Sequence, residues 1–537
     1  MSIDGRMPSR SAAPSRNRSN GSTSATMRQQ VFQLAIFFLL LATPLFLIHF
    51  ALLGLPYFWD EHGQFIPSAL DLFRDGRWIA RSTLPNIHPP GVTAYLVLWY
   101  ELFGYSIPIT RVAMLTMAAF GLLVTFLLSV ELTGEVRGTP AFVPPVLLLV
   151  SPIFFTQSMM AQLDMPAMVF TILALLLFLR ERYLLCSVAC VALVLSKETG
   201  LVTPAVFAGV LLWKRQPKHA CKFLMAPAVL GVWLVVLHRA TGYWMGNPGF
   251  EHYNVDYSIH PVRIVFTALR RVYYLLFAEF RWIGTLVIAV TARRVWQYRS
   301  EKWAVTGLVF AANFILVIVF GGAALERYLL PVLPLYYVVV SIGLWSMTKW
   351  WRSASIAALV CGLTGSIFLN PPYPFPYENN LAMVDFVRLQ AVAAEFIESQ
   401  LPGSTVATAW PYTGALSRAE YGYVERPMKT VETTNFHFSS VAAIPPGTFN
   451  TLVVYTRTWA PRRGVIAVPW IRRFLQRFYS YEPPISESQC AQLGLDPVVT
   501  WRRRGQEITI YRRNRMPEAQ RMTASRFHAA DEPQTRN

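Results

Sequence analysis

Charge is scarce in this chain. Only 15% of its 537 residues are Asp, Glu, Lys or Arg, where a soluble domain carries roughly 25%. Cysteine is scarcer still, at five residues. Cys186, Cys190, Cys221 and Cys361 fall in or beside apolar runs, Cys490 stands alone in a polar region, and no C-x-x-C occurs. Neither a disulfide framework nor a cysteine metal site is expected from that pattern. There is no G-x-x-x-x-G-K-[ST], no dinucleotide fingerprint and no D-x-D, the usual carboxylate pair for a metal-bound nucleotide sugar. Nucleotide-driven chemistry is disfavoured.

Apolar surface is what the chain has in excess, with 54% hydrophobic residues. The net charge of +18 comes from 48 Lys+Arg against 30 Asp+Glu. Five Arg and one Asp fall in the first 28 residues, and nine Arg and four acids in residues 501–537. The rest sits in short clusters between apolar runs. That distribution suits membrane orientation and argues against a nucleic-acid partner, whose binding face interleaves basic residues with stacking aromatics.

The first apolar run, Val31–Leu55, is about 25 residues, enough to cross a bilayer. No small-residue cleavage site follows it, so it reads as a signal anchor. The Ser/Arg-rich tail before it, residues 1–28, reads as disordered. Further runs follow near 108–130, 138–157, 165–180, 183–196, 199–213, 222–239, 274–292, 303–320, 328–347 and 353–370. The expected fold is therefore a polytopic α-helical membrane protein with about eleven transmembrane helices, because backbone polar groups in lipid need internal partners.

Orientation follows the positive-inside rule. With the Arg-rich tail in the cytoplasm, the cytoplasmic loops are 131–139, 180–182, 213–222, 292–302 and 349–352, and every one carries Lys or Arg. The segments 54–107, 157–164, 196–198, 240–261, 321–327 and everything after Asn370 then lie outside. This partition gathers Asp60, Glu61, His88, Asp164, Lys197, His252, Asp256, His260 and Arg327 at one membrane face. The long segment 54–107 is expected to hold helices along the interface, because Phe65, Ala69, Leu72 and Phe73 are helically spaced.

Asp60-Glu61 directly follows the first span. It reads either as a hydrated loop pair or as a carboxylate at the hydrocarbon edge, where partial desolvation suits a general base. Asp164 precedes Pro166 and also fits a helix N-cap. Lys197 joins two apolar runs, and Arg327 could pair with Glu326. Two cations beside carboxylates also suit a phosphate. His252, Asp256 and His260 recur every four residues and are the candidate ligands of a divalent metal, although Pro248-Gly249 and Pro261 bracket them in a loop-like stretch.

The set Trp59-Asp60-Glu61, His88-Pro89-Pro90, Gln162-Leu163-Asp164-Met165-Pro166, Ser196-Lys197-Glu198-Thr199-Gly200 and Arg327-Tyr328-Leu329-Leu330-Pro331 resembles the GT-C glycosyltransferase superfamily. It is similar to the branch of protein O-mannosyltransferases and the lipid A aminoarabinose transferase, over residues 29–370. The resemblance implies an inverting hexosyl- or pentosyltransferase. The sugar would pass from a polyprenyl-phosphate carrier to a lipid, glycan or protein acceptor at the non-cytoplasmic face of a bacterial plasma membrane. It implies Asp60 as base, with Glu61 and Asp164 in the catalytic set, and Lys197, Arg327 and His88 near the donor phosphate. His88 stands where relatives often carry Lys. The aminoarabinose transferase places a zinc-sharing Glu before that Lys; here the residue is Ile87, a departure from that pattern, and a divalent metal stays an open cofactor.

After Asn370, a proline-rich stretch breaks the last helix. An amphipathic helix over 383–401 and strands at 405–410, 451–455 and 498–511, the last folding at Gly505, indicate a small non-cytoplasmic α/β domain over 371–515. It reads as a packing cap, or as an acceptor selector near Trp410-Pro411-Tyr412. Residues 516–537 read as disordered. A secondary transporter or a lipid-linked saccharide flippase is the competing reading. Either would place its polar residues along a path through the membrane.

Overall fold

The computed structural model describes residues 20–134, 138–295, 300–320, 323, 325–457, 468–479 and 481–513. Most of the tail 1–28, the loop arginines Arg137 and Arg299, and all of 516–537 lie outside the described residues. Helix α1 (Asn20–His49) runs back into the segment expected to be disordered. Extending an existing helix fixes one residue per hydrogen bond gained, so a polar tail can continue an apolar helix.

Helices α2 (Ile66–Asp75) and α3 (Gly91–Phe103) follow in the long segment after the first run. α2 starts with Pro67 in its first turn and stops at Gly76, whose φ of +66° ends the helix in the left-handed region. α4 (Ile107–Thr133) is capped by Ser106, whose side chain accepts from the Ile109 backbone N–H at 3.3 Å. The run 138–157, expected as one span, is broken. α5 (Val143–Leu149) and α6 (Pro152–Gln157) meet at Val150-Ser151. Pro152 has no N–H to continue the ladder and clashes with a preceding carbonyl.

α7 (Asp164–Leu179) and α8 (Tyr183–Ser196) pack as a hairpin, so the start of α7 lies beside the end of α8. α9 (Val202–Trp213), α10 (Pro217–Ala220), α11 (Met225–Thr241) and α12 (Pro248–Glu251) follow. α13 (Pro261–Leu276) and α14 (Arg281–Val295) are bent by 44°. α15 (Glu301–Val319), α16 (Leu333–Trp345) and α17 (Lys349–Phe368) complete the helical part.

Among the described residues five helices are long and apolar enough to cross a membrane, or six with the bent pair taken as one span; other apolar helices, such as α7, α8 and α16, are shorter. Each apolar run of the sequence falls on a helix or a broken helix. Leu39, Leu40 and Leu47 of α1 are exposed, the pattern of a helix facing lipid. All five cysteines are unpaired.

The C-terminal part carries α18 (Ala382–Gln400) and a mixed five-stranded sheet in the order β2-β1-β3-β5-β4. β1 (Thr405–Ala409) pairs in parallel with β2 (Lys429–Thr433) and β3 (Thr451–Tyr455). β4 (Leu495–Arg503) and β5 (Gln506–Arg513) form the expected hairpin at Arg504-Gly505, and β5 runs antiparallel to β3. β2 has no counterpart among the expected strands; it is an edge strand with little apolar alternation.

The sheet is clamped to the segment after α1 by aromatic contacts. Phe386 of α18 lies 5.6 Å from the Phe58 ring and 5.7 Å from that of Trp59, and Trp59 meets Tyr455 of β3 edge-on at 6.5 Å. The Tyr423 hydroxyl donates to the Tyr57 carbonyl at 2.7 Å.

Candidate active site

A cavity of about 1240 Å³ opens between the helix ends and the sheet. Trp59, Asp60, His88, Asp164, Lys197 and Arg327 line it from the helical part, and Trp410, Thr413, Glu432 and Arg457 from the sheet side. Leu316, Val317, Phe320 and Tyr253 form an apolar flank.

Asp60 reaches the cavity through a tight turn. Trp59 has a φ of +37°, a left-handed value that a bulky aromatic adopts only when its surroundings hold it there. Glu61 supplies part of that hold. Its Oε2 accepts from the Phe58 N–H at 2.8 Å, and its Oε1 accepts from the Ala161 N–H at 2.7 Å and from Arg111 Nη1. Arg111 of α4 also donates to the carbonyls of Met159, Leu55 and Pro56. Glu61 is fully buried and does not line the cavity. The carboxylate beside the candidate base is thus structural in its contacts: it ties the Asp60 turn to α4 and to the chain before α7.

Arg327 is the hub. Its Nη2 donates to Asp60 Oδ2 at 2.6 Å, and its Nε faces Asp164 Oδ2 at 3.0 Å. Nη1 donates to Gln162 Oε1 at 2.7 Å and to Glu378 Oε2 at 2.8 Å. Lys197 Nζ donates to Asp164 Oδ1 at 2.6 Å and stands 4.2 Å above the Tyr328 ring. Asp60, Asp164, Lys197 and Arg327 therefore meet in one network. Asp164 begins α7 but makes no capping hydrogen bond; its carboxylate faces the two cations. Glu326 pairs with Arg281, not with Arg327, and accepts from the Asn379 amide at 2.9 Å.

His88 lines the same cavity, with Nδ1 2.9 Å from Glu198 Oε2. Burial acts to raise the Glu198 pKa, but His88 and Lys197 outweigh it and hold the carboxyl below its usual value. The neighbouring His62 is buried, which pushes its imidazole down to about 3 and keeps it neutral. Gly63 has no room for a side chain, since a Cβ there would lie 2.4 Å from the Trp410 ring. That close approach seats the sheet against the Asp60 turn.

The three candidate metal ligands are not brought together. His252 and Asp256 face each other at 3.5 Å on an exposed turn. His260 packs against the Phe478 ring instead. Among the described residues no group of three or more His, Cys, Asp or Glu converges as a metal site. The four-residue spacing failed because the stretch folds as a wide π-type turn, His252–Asp256, and then extends at His260. His252, Asp256 and His260 therefore do not form a common donor set.

No family model matches the chain, and no curated protein matches its sequence. Solved structures do match. ArnT from Cupriavidus metallidurans bound to undecaprenyl phosphate aligns with a TM-score of 0.52 at 14% identity, covering 89% of this chain and 97% of that one. The chain shares its overall fold with that ArnT. The apo state of the same ArnT gives 0.48 at 14% identity over 91% of this chain and 98% of that chain. The archaeal oligosaccharyltransferase AglB from Archaeoglobus fulgidus, in complex with an inhibitory peptide and a dolichol-phosphate, gives 0.46 at 10% identity over 79% and 69%.

Within this fold, the cavity contains residues the motifs did not mark. Glu378 comes from the turn Tyr377–Asn379 after the proline-rich stretch, and Arg457 sits over the Trp59 ring at 5.2 Å. The one available signal for Glu378 was an acid set among prolines and aromatics directly after the last apolar run.

Proposed function

We propose that this chain is an inverting glycosyltransferase that moves a sugar from a polyprenyl-phosphate carrier to an acceptor hydroxyl at the non-cytoplasmic membrane face. About eleven crossings, with the Arg-rich tail in the cytoplasm, would place residues 29–370 as the catalytic part and 371–515 outside. The observation that carries the reading is the convergence of Asp60, Asp164, Lys197 and Arg327 on one cavity with an apolar flank. A transporter or flippase reading has no comparable support, because these charges gather at one end of the helices. ArnT bound to undecaprenyl phosphate supplies a lipid-phosphate precedent in the same fold.

The carrier's tail fits the flank formed by Leu316, Val317 and Phe320, which brings its phosphate to the depth of Lys197. Lys197 is the main phosphate cation in this reading, and His88 a second contact. Arg327 is largely committed to carboxylates and acts through them. As the acceptor oxygen bonds to the anomeric carbon, the bond from that carbon to the phosphate oxygen breaks. Its electron pair leaves with the phosphate, and Lys197 stabilises the growing charge in a partly desolvated site. The acceptor proton passes to Asp60, which Arg327 keeps in place. The sheet side, with Trp410, Thr413 and Glu432, is where the acceptor would rest.

Purified protein incubated with defined polyprenyl-phosphate sugars and candidate acceptors tests the reading. Asp60→Asn is expected to fold and to lose about 10²- to 10⁴-fold in transfer rate, the usual worth of a positioned base. Full activity in that variant would remove Asp60 from the role.

A further inference from the structure

Glu378 sits where its side chain has little freedom. Asn379, the next residue, donates to Glu326 at 2.9 Å, and Thr156 Oγ1 of α6 donates to the Glu378 carbonyl at 2.5 Å. Tyr377, the residue before, packs on Phe386 at 5.0 Å and donates to the Thr456 carbonyl. The Glu378 side chain is 6% exposed and lines the cavity. Its Oε2 accepts from Arg327, whereas its Oε1 is buried with no hydrogen-bond partner among the described residues. A buried carboxylate oxygen without a donor is costly as an anion and cheap as part of a neutral acid.

The charges around it do not balance. Arg327, from the turn before α16, is shared by Asp60 from the turn after α1, Asp164 from α7 and Glu378. Lys197 adds one positive charge through Asp164. Gln162 and Asn379 are neutral, and Glu326 shares Arg281 with Glu279, with Arg271 and Arg270 also acting on it. Among the groups in direct contact, three acids thus share two cations; Arg271 stands farther off, attracted to Asp164, and Arg457 and the His88–Glu198 pair line the same cavity. A phosphodiester donor brings one more negative charge beside Arg327 and its three acids.

We propose that Glu378 is a positioning residue that offsets the donor's charge: it binds a proton as the lipid phosphate arrives and keeps Arg327 aimed at Asp60 and Asp164 throughout. The inference rests on the cavity being a lipid-phosphate donor site. Its electrostatics agree with the geometry. Burial, aided by Asp60 and Asp164, outweighs the pull of Arg327 and holds the Glu378 carboxyl up at about 7. At neutral pH the group is therefore balanced between its two forms, and an arriving anion tips it toward the protonated one.

The test uses the full-length protein and farnesyl methyl phosphate, a phosphodiester that keeps a single negative charge across the range studied. Calorimetry in buffers of different ionisation enthalpy reads both affinity and protons exchanged, between about pH 6 and about pH 8.5. The wild type is expected to take up close to one proton at the alkaline end and to bind up to about tenfold more weakly per pH unit above the Glu378 midpoint. Glu378→Gln keeps an acceptor for Arg327 but cannot titrate, so its uptake at the alkaline end is expected to fall by close to one proton and its pH slope to flatten accordingly, any remainder belonging to His88.

Wild-type binding without proton uptake would overturn the proposal, even if the variant failed to fold. An unchanged slope in Glu378→Gln would overturn it as well, leaving the donor site standing. Absence of binding by both proteins at every pH would overturn the donor reading and this inference with it.

Discussion

Arg327 Nη2 stands 2.6 Å from Asp60 Oδ2, a charge-assisted contact between residues 267 positions apart in the chain. It joins the turn after the first helix to the turn before α16. The same guanidinium reaches Asp164 and Glu378, so the position of the candidate base depends on one planar cation.

Arg327→Lys should therefore be far from conservative. An ammonium keeps the charge but lacks the flat fork that meets several carboxylates at once. Transfer is expected to fall by about 10²-fold through kcat, consistent with a misplaced reacting group, with the fold kept. Steady-state rates at saturating donor check this. A variant with wild-type kcat would show that the fork does not position Asp60.

The Glu61–Arg111 pair should carry stability. Removing one partner of a buried ion pair strands the other, at a cost of about 3–5 kcal/mol. Glu61→Ala is expected to unfold at distinctly lower temperature than the wild type. A Glu61→Gln, Arg111→Met double variant should recover part of the loss. Thermal unfolding in detergent reads both; a Glu61→Ala protein as stable as the wild type would contradict the buried geometry.

Stability should also depend on pH through Glu378. Its native pKa, about 7, lies above the unfolded carboxyl value. The native state then holds more protons than the unfolded state between the two values, so stability falls as pH rises through that window and stays reduced above it. The loss at pH 8 is on the order of 3 kcal/mol. Glu378→Gln mimics the neutral acid and should escape it. The melting-temperature gap between variant and wild type is expected to widen in the variant's favour from about pH 5 to about pH 8; a constant gap would refute the assignment.

The legible part of the site had a physical mark. Asp60, Asp164, Lys197 and Arg327 each interrupt or border an apolar run, where a charge has a cost and so stands out. Their shared location followed from counting crossings, and the convergence of the four needs only that they lie at the same end. Glu378 had no such mark, because an acid in a polar linker is ordinary until tertiary docking buries it. The role of Glu61 was hidden for the same reason: its partner Arg111 lies on the first turns of α4, and sequence spacing says nothing about that contact. The break at Pro152 was readable in its prolines, while β2 offered almost no alternation to read.

Glu326–Asn379 and Arg327–Glu378 form two adjacent rungs between the turn before α16 and the turn that leads into α18. Both rungs depend on the turn Tyr377–Asn379, which leaves the ribosome only after all the apolar runs. A chain whose helices had packed before that turn docked would still lack one corner of the cavity, so the charged network around Arg327 is completed last.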